Sequence, residues 1–400
     1  MSRTLLYVAY PMRLDLGAAN AIQTYSTVRE LQKLLPGVRL VVPRWLREPS
    51  AFEDLGALHL LRPAANKLSK FLPWAGWSYI ERTVYAFMLL ALLAFWRLTG
   101  SQYRALYVRD AVCAAWLALL RPLHGSSVIY EVHDLEAAHP SKASRWPRTF
   151  WRRFLPWLDR AALTRSDRLV SLTEAFKEWV TGKGLREAGH VAVIADAYDP
   201  AVYFPVDRDR VRAELGLPQG APIIGYTGLT FAYRGLDLLV QAFAQVRQKH
   251  PDAILALVGG RPHEIEELKA LASRCGLPDA SVLFPGPVAQ PVAALYLNAS
   301  DVLVIPETVT TMTASPLKLF EYMAVGKPIV CKEMPALREI LDDDSAVFFK
   351  ASDVEALARA IGGVLDDPEA AQKLGERALR RSAEYTYRVR AEKIVAVVQS

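Results

Sequence analysis

The sequence predicts an α/β protein made of two doubly wound domains, each a parallel sheet covered by helices. Three observations carry this prediction. The chain has 400 residues, room for two domains at ~100–200 residues each. Short apolar runs alternate with longer helix-like stretches over nearly the whole length, as fully covered parallel strands do. The runs also fall into two successive sets, which reads as two doubly wound halves.

In the first half the strand candidates are LLYVA (5–9), RLVV (39–42), ALYV (105–108), SVIYEV (127–132), RLVSL (168–172) and VAVIA (191–195). In the second they are PIIGYTG (222–228), AILALVG (253–259), SVLFPG (281–286), DVLVIP (301–306), PIVCK (328–332) and AVFFK (346–350). The boundary falls near 196–220, where DAYDPAVYFPVD gives way to a helix that stops at Gly216. This divides the chain into 1–200, 201–380 and a terminal helix, 381–400.

Composition narrows the class. At 52% hydrophobic and 22% charged, with 22 Gly and 25 Pro, disorder, collagen-like repeats and low-complexity tails are excluded. Cys113, Cys275 and Cys331 lie far apart with no CxxC pair, which argues against a disulfide framework or a zinc site and for a reducing, cytoplasmic setting. The opening MSRTLLYVAYP reads as a first strand rather than a signal peptide. Residues 1–200 carry 26 Lys and Arg against 17 Asp and Glu, and residues 201–400 carry 22 against 25. A basic first half beside a mildly acidic second suggests different partners for the two, although simple drift in surface composition would give the same figures. The most apolar run, VYAFMLLALLAFW (84–96), covers roughly 20 Å as a helix, short of a bilayer core of ~30 Å. It reads as a buried or half-buried helix, with docking on a bilayer surface as the alternative.

Ligands of such sheets bind beyond the carboxyl ends of the strands, so the strand-end loops are where chemistry is sought. Neither GxxxxGK[ST] nor a GxGxxG after the first strand occurs. The first strand instead leads to Gly17, where a backbone could approach a ligand closely or simply turn. In TASPLKLFEYMAVGKPIV (313–330), Ser315 suits an N-cap, Pro316 the first helical position and Gly326 the residue past the last turn. That predicts a helix over 316–325. Lys318 then stands in the first turn, where the macrodipole disfavours a cation unless an anion joins it. Glu321, on the same face, can accept hydrogen bonds from a vicinal diol; a solvated Lys–Glu pair is the plain alternative. In IGYTGLTFAYRGLDLLVQA (224–242) a strand ends near Gly228, and Arg234 precedes an amphipathic helix starting near Leu236, placed for bidentate phosphate contact. In VIYEVHDLEAAHP (128–140), His133 and Asp134 stand at a strand end. A structural histidine, a hydrogen-bond donor and a general base all fit that position, while the spacing of His139, Glu131 and Glu136 makes no convincing metal site.

SPLKLFEYMAVGKPIV resembles the nucleotide-sugar segment of glycosyltransferase family 4, the large retaining group with the GT-B fold. YTGLTFAYRGLDLLVQAF is similar to that family's donor loop, LALVGG and SDVLVIP to its strands, and EYTYRVRAEKI to its terminal helix. In the first half, the turn at Gly17, YEVHD and IADAYDPAVYFP resemble the family's segments in the same order. The resemblance implies two Rossmann-like domains facing across a cleft, the first binding the acceptor, the second a nucleotide-diphosphate sugar, UDP- or GDP-linked. It implies that Arg234 and Lys318 neutralise the diphosphate, assisted by backbone N–H groups of the Pro316–Leu317–Lys318 turn, Pro316 itself donating none. Glu321 would hold the ribose, the loop at Gly286–Val288 would meet the base, and Gly17 and Gly228 would lie close to the donor. His133 would contact the donor sugar. No metal or other cofactor is then needed to stabilise the leaving diphosphate.

The sequence departs from the family in three places. Thr313 stands where the family usually has the first of two glutamates, Arg234 where it usually has lysine, and DAYD where it has NGVD. Two other readings remain: a nucleotide-sugar epimerase on the same scaffold, and a non-catalytic nucleotide- or glycan-binding homologue. For the acceptor, SKASRWPRTFWRRFLPWL (141–158) holds five basic and five aromatic residues and no acid. That composition suits the interface of an anionic membrane, and with no recognised nucleic-acid fold beside it, nucleic acid ranks lower. A cytoplasmic enzyme peripheral to the inner face of the membrane, acting on a glycan or lipid-linked acceptor, is the expectation.

Overall fold

The computed structural model describes residues 3–63, 76–138, 148–230, 234–307, 312–313, 316–350 and 353–400. The chain divides into two compact units: Met1–Ala195 with Met312–Ala314 and Tyr387–Ser400, and Asp196–Thr311 with Ser315–Thr386.

The first unit runs β1 (Arg3–Val8), α1 (Ala19–Leu34), β2 (Val38–Arg44), β3 (Leu58–Leu61), α2 (Trp77–Leu98), β4 (Tyr103–Val108), α3 (Ala111–Leu119), α4 (Arg121–His124), β5 (Ser127–Val132), α5 (Arg148–Arg165), β6 (Arg168–Ser171), α6 (Glu174–Gly182) and β7 (Val191–Val193). Its strands form one parallel sheet in the order β3-β2-β1-β4-β5-β6-β7. Successive side chains point to opposite faces, and both faces are covered. Leu6, Val8, Leu106, Val108, Val128 and Tyr130 enter a core with α2, α3, α5 and α6. Leu5, Tyr7, Ala105, Tyr107 and Ile129 pack instead with α1 and the chain's last helix. This two-sided cover is why the strands read as unbroken apolar runs. Asp110 and Thr173 cap α3 and α6 by accepting the N–H groups of Cys113 and Phe176.

The second unit runs α7 (Arg208–Leu215), β8 (Ile223–Thr227), α8 (Leu236–Lys249), β9 (Ile254–Val258), α9 (Pro262–Arg274), β10 (Val282–Gly286), α10 (Gln290–Ala299), β11 (Val302–Ile305), α11 (Leu317–Ala324), β12 (Ile329–Lys332), α12 (Pro335–Arg338), β13 (Val347–Phe349), α13 (Val354–Asp366) and α14 (Pro368–Ser382). Its sheet, again parallel, has the order β10-β9-β8-β11-β12-β13. In each sheet the order reverses beside the unit's first strand, between β1 and β4 and between β8 and β11. Crevices open at such reversals.

All twelve expected strands are present, and four features differ from expectation. β3 was not expected: LHLL is a short edge strand with its side chains half-buried or exposed, too little apolar signal to read. The apolar run at 84–96 is the middle of a 22-residue helix, α2, long and apolar enough by length and composition to cross a membrane. The fold change between units comes at Ala195/Asp196 rather than at residue 200. The terminal helix α15 (Tyr387–Gln399) begins later than residue 381, because α14 continues to Ser382 against α11. Their backbones approach so closely there that a Cβ on Gly375 would lie 2.3 Å from the Gly326 carbonyl oxygen.

α15 joins the first unit through Ala391, Ile394 and Val398, which pack with α1, and through Arg390. The buried Arg390 guanidinium donates to the carbonyls of Ile194 (3.0 Å) and Ala195 (2.6 Å) and to Oε2 of Glu131. Removing one partner of a buried ion pair strands the other. Arg390→Leu is therefore expected to cost about 3–5 kcal/mol in urea unfolding followed by tryptophan fluorescence. A loss below about 1 kcal/mol would place this pair with ordinary surface bridges.

Candidate functional site

In the second unit the site is built on the ends of β8 and β9 and the start of α11. β8 closes with Tyr226 and Thr227 and runs into Gly228, whose φ of +128° favours glycine. The Gly228 N–H donates to the Val258 carbonyl at 2.9 Å. At the next strand end, a Cβ on Gly259 would lie 2.2 Å from the Gly228 oxygen, so backbone meets backbone. Gly286 joins the same edge by accepting the Gly259 N–H at 2.8 Å, which brings the half-buried Val288 loop alongside.

α11 starts one residue later than expected. Pro316 is its cap, extended at φ −71° and ψ 135°, and Ser315 lies outside the described residues. The N–H groups of Leu317 and Lys318 stand in the first turn, where a helix supplies no acceptor of its own. Gly326, at φ 68°, follows the last turn as expected. The Tyr322 hydroxyl accepts the Thr227 N–H at 2.8 Å and ties α11 to the end of β8.

Lys318 is buried, 8% exposed. Its ammonium lies 3.6 Å from the Tyr226 ring centroid and has no hydrogen-bond partner. Burial, reinforced by the Arg234 charge, pushes its pKa well down, against the pull of Glu321. A Cβ on Gly228 would come within 3.1 Å of Nζ, so glycine leaves the approach to the ammonium open. Glu321 is half-buried beside it. Burial lifts its carboxyl to about 7, despite the Tyr203 hydroxyl bonded to it and the Lys318 charge. Arg234 precedes α8, whose cap Gly235 has φ 67° and would bring a Cβ within 3.0 Å of Glu307 Cβ. The structure thus brings Gly228, Arg234, Pro316, Leu317, Lys318 and Glu321 to one strand-end cluster. Lys318 stands between the Arg234 charge and a carboxyl that resists ionising, an arrangement that suits an anion with hydroxyl groups beside it.

In the first unit His133 follows β5, and its side chain is 30% exposed. Its Nε2 lies 2.6 Å from Oε1 of Glu131. That carboxylate is fully buried and also accepts Arg109 Nε at 3.0 Å and the Tyr107 hydroxyl. Burial alone would raise the Glu131 pKa, but Arg390, Arg109 and His133 hold it well below the carboxylate range. Gly17 is exposed, and its N–H donates to Asp15 Oδ1 at 3.2 Å. Its backbone does not require glycine, unlike that of Gly228. Thr313 is buried with its hydroxyl unbonded; it goes with the first unit, where the neighbouring Met312 carbonyl accepts the Thr173 hydroxyl. His139 lies outside the described residues.

Sequence reasoning missed Arg109, Glu131, Tyr203 and Tyr226. Glu131 alone had a signal, an acid inside an otherwise apolar buried strand.

Two doubly wound units with these strand orders are the halves of a GT-B fold. Sucrose-phosphate synthase from Thermosynechococcus elongatus matches over 99% of this chain and 98% of its own, with a TM-score of 0.78 at 20% identity. Anabaena HepE, solved in complex with UDP, matches over 99% of both chains with a TM-score of 0.74 at 15% identity. The family described as "Glycosyl transferases group 1" matches residues 207–381. The D-inositol 3-phosphate glycosyltransferase of Xylanimonas cellulosilytica is 33% identical over 176 residues, 43% of this chain and 41% of that protein. The chain spans less than two thirds of the length of the curated relatives it matches.

Two outcomes follow from the buried charges. Glu321 binds its proton more tightly folded than unfolded, so its contribution to stability is full below about pH 4.5 and lost as pH rises through about 7. Wild type should lose of order 2 kcal/mol relative to Glu321→Gln between those limits, read by urea unfolding at each pH. Lys318→Met removes a buried cation and should raise Tm by about 2–4 °C; a lower Tm would mean that the ammonium supports the fold.

Proposed function

We propose that the chain is a retaining glycosyltransferase. It moves a sugar from a nucleotide-diphosphate sugar, UDP- or GDP-linked, to a glycan or lipid-linked acceptor. One observation carries the reading: the buried Lys318 ammonium, unbonded beside Arg234 at the start of α11. A donor diphosphate supplies the missing anion. The family of residues 207–381 supports the same reading, as do the glycosyltransferase names of the relatives.

The chemistry follows from the charges. As the bond from sugar to diphosphate breaks, negative charge grows on the leaving oxygen. Arg234, Lys318 and the N–H groups of Leu317 and Lys318 stabilise that charge without rearranging, and this is worth most where water is excluded. In this reading no metal ion is required. Glu321, ionised, accepts hydrogen bonds from the ribose diol, with Val288 and Gly286 along the base and Gly17 near the diphosphate. His133 contacts the donor sugar, and Glu131 sets its orientation. Thr313 in place of a glutamate alters the contacts to the sugar hydroxyls, so it bears on which sugar is accepted.

Thermal unfolding with UDP, GDP, ADP and CMP tests the reading. One nucleotide at ~100 times its Kd should stabilise the fold by ~2.7 kcal/mol. Lys318→Met should abolish that shift while remaining folded. His133→Ala should keep the nucleotide shift and lose transfer. If no nucleotide shifts the wild type, the anion-site reading fails; full transfer by His133→Ala would remove that residue from the reaction.

A further inference from the structure

α2 is apolar on two sides. Its inner side places Tyr85, Ala86, Leu89 and Leu93 in the core of the first unit. Its outer side exposes Val84, Phe87, Ala91, Phe95 and Leu98, a stripe at helical spacing; Phe95 is 59% and Leu98 87% exposed. The stripe continues sideways. Phe87 lies 5.3 Å from Trp116 of α3, and Trp116 lies 6.0 Å from Trp157 of α5, by ring centroids. Trp157 is 44% exposed, and exposed Arg153 and Arg160 flank it four residues before and three after, on the same side of α5. The only acids of α2 and α5, Glu81 and Asp159, are both buried, and α4 has none.

We propose that this face docks the first unit on an anionic lipid bilayer, with α2 lying in the interface. Exposed apolar area of this extent in a soluble fold marks an interaction surface. Its make-up, an aliphatic and aromatic stripe beside arginines and a tryptophan, matches the acyl boundary and the phosphate layer above it. Charge complementarity selects the occupant. A second copy meeting the face symmetrically would set arginines against arginines, with no exposed carboxylate on α2, α4 or α5 to receive them. Packing selects the geometry. Although α2 is long enough to cross a membrane, crossing would strip Tyr85, Ala86 and Leu89 from the core. It would also break the bonds of Arg82 to Asp110 (2.9 Å) and Glu136 (2.7 Å).

The face belongs to the first unit and the proposed nucleotide site is built on the second, so the two readings fail separately. The experiment is flotation of the full chain with phosphatidylcholine vesicles, with and without about 30% phosphatidylglycerol. Binding to the anionic vesicles should exceed binding to neutral ones by about tenfold or more and weaken in about 0.5 M salt. Phe95→Glu/Leu98→Glu, at exposed positions, should abolish it. Arg153→Gln/Arg160→Gln, which leaves the apolar stripe intact, should reduce it to the neutral-vesicle level. The nucleotide-induced shift in Tm, unchanged in all four substitutions, certifies the fold; failing that shift in wild type, an unaltered unfolding midpoint does so. No flotation with anionic vesicles, or flotation unaffected by either pair, overturns the proposal. So does a wild-type dimer in light scattering that Phe95→Glu/Leu98→Glu dissociates, which would give the face to a second copy.

Discussion

Every strand pair in both sheets is parallel, and consecutive parallel strands can be joined only by a chain that crosses over the sheet. All strands of a sheet therefore end at the same edge, and residues far apart in sequence meet there. Gly228, Gly259, Gly286 and the first turn of α11 share one such edge; Arg109 and His133, one residue past β4 and β5, share the other. The same crossovers cover both faces of each sheet with helices, which leaves the strand ends as the open side.

The two units treat buried charge in opposite ways. In the first, Glu131 accepts bonds from Tyr107, Arg109, His133 and Arg390, so a fully buried carboxylate stays ionised and aims a histidine. In the second, Lys318 is buried against a tyrosine ring with no hydrogen-bond partner, next to a carboxyl pushed towards neutrality. A satisfied network gives rigidity. An unsatisfied cation is a standing cost that binding of an anion removes. Such strain between stability and function is common at sites that must bind and release a ligand.

The first unit also divides its labour between faces. Arg390 brings α15 under β5 and its histidine, while α2 and α5 turn apolar and basic side chains outward.

Twelve of the strands were legible because burial on both faces demands unbroken apolar runs, and β3 escaped because an edge strand is under no such demand. Arg234, Lys318 and Glu321 were legible because a cation at a helix N-terminus conflicts with the macrodipole, and such a conflict is visible in a linear pattern. Arg109, Tyr203 and Tyr226 were not, since nothing local distinguishes an arginine that reaches a buried glutamate from one in water. The chain by itself determined the alternation of strand and helix, the two-part division and the charge at the start of α11, all set by neighbours within a few residues. Only the tertiary structure decided that the Lys318 ammonium lies buried and unbonded, that Glu131 gathers four partners, and that one side of α2 stays exposed. Desolvation depends on what packs from distant parts of the chain, and no local pattern encodes it.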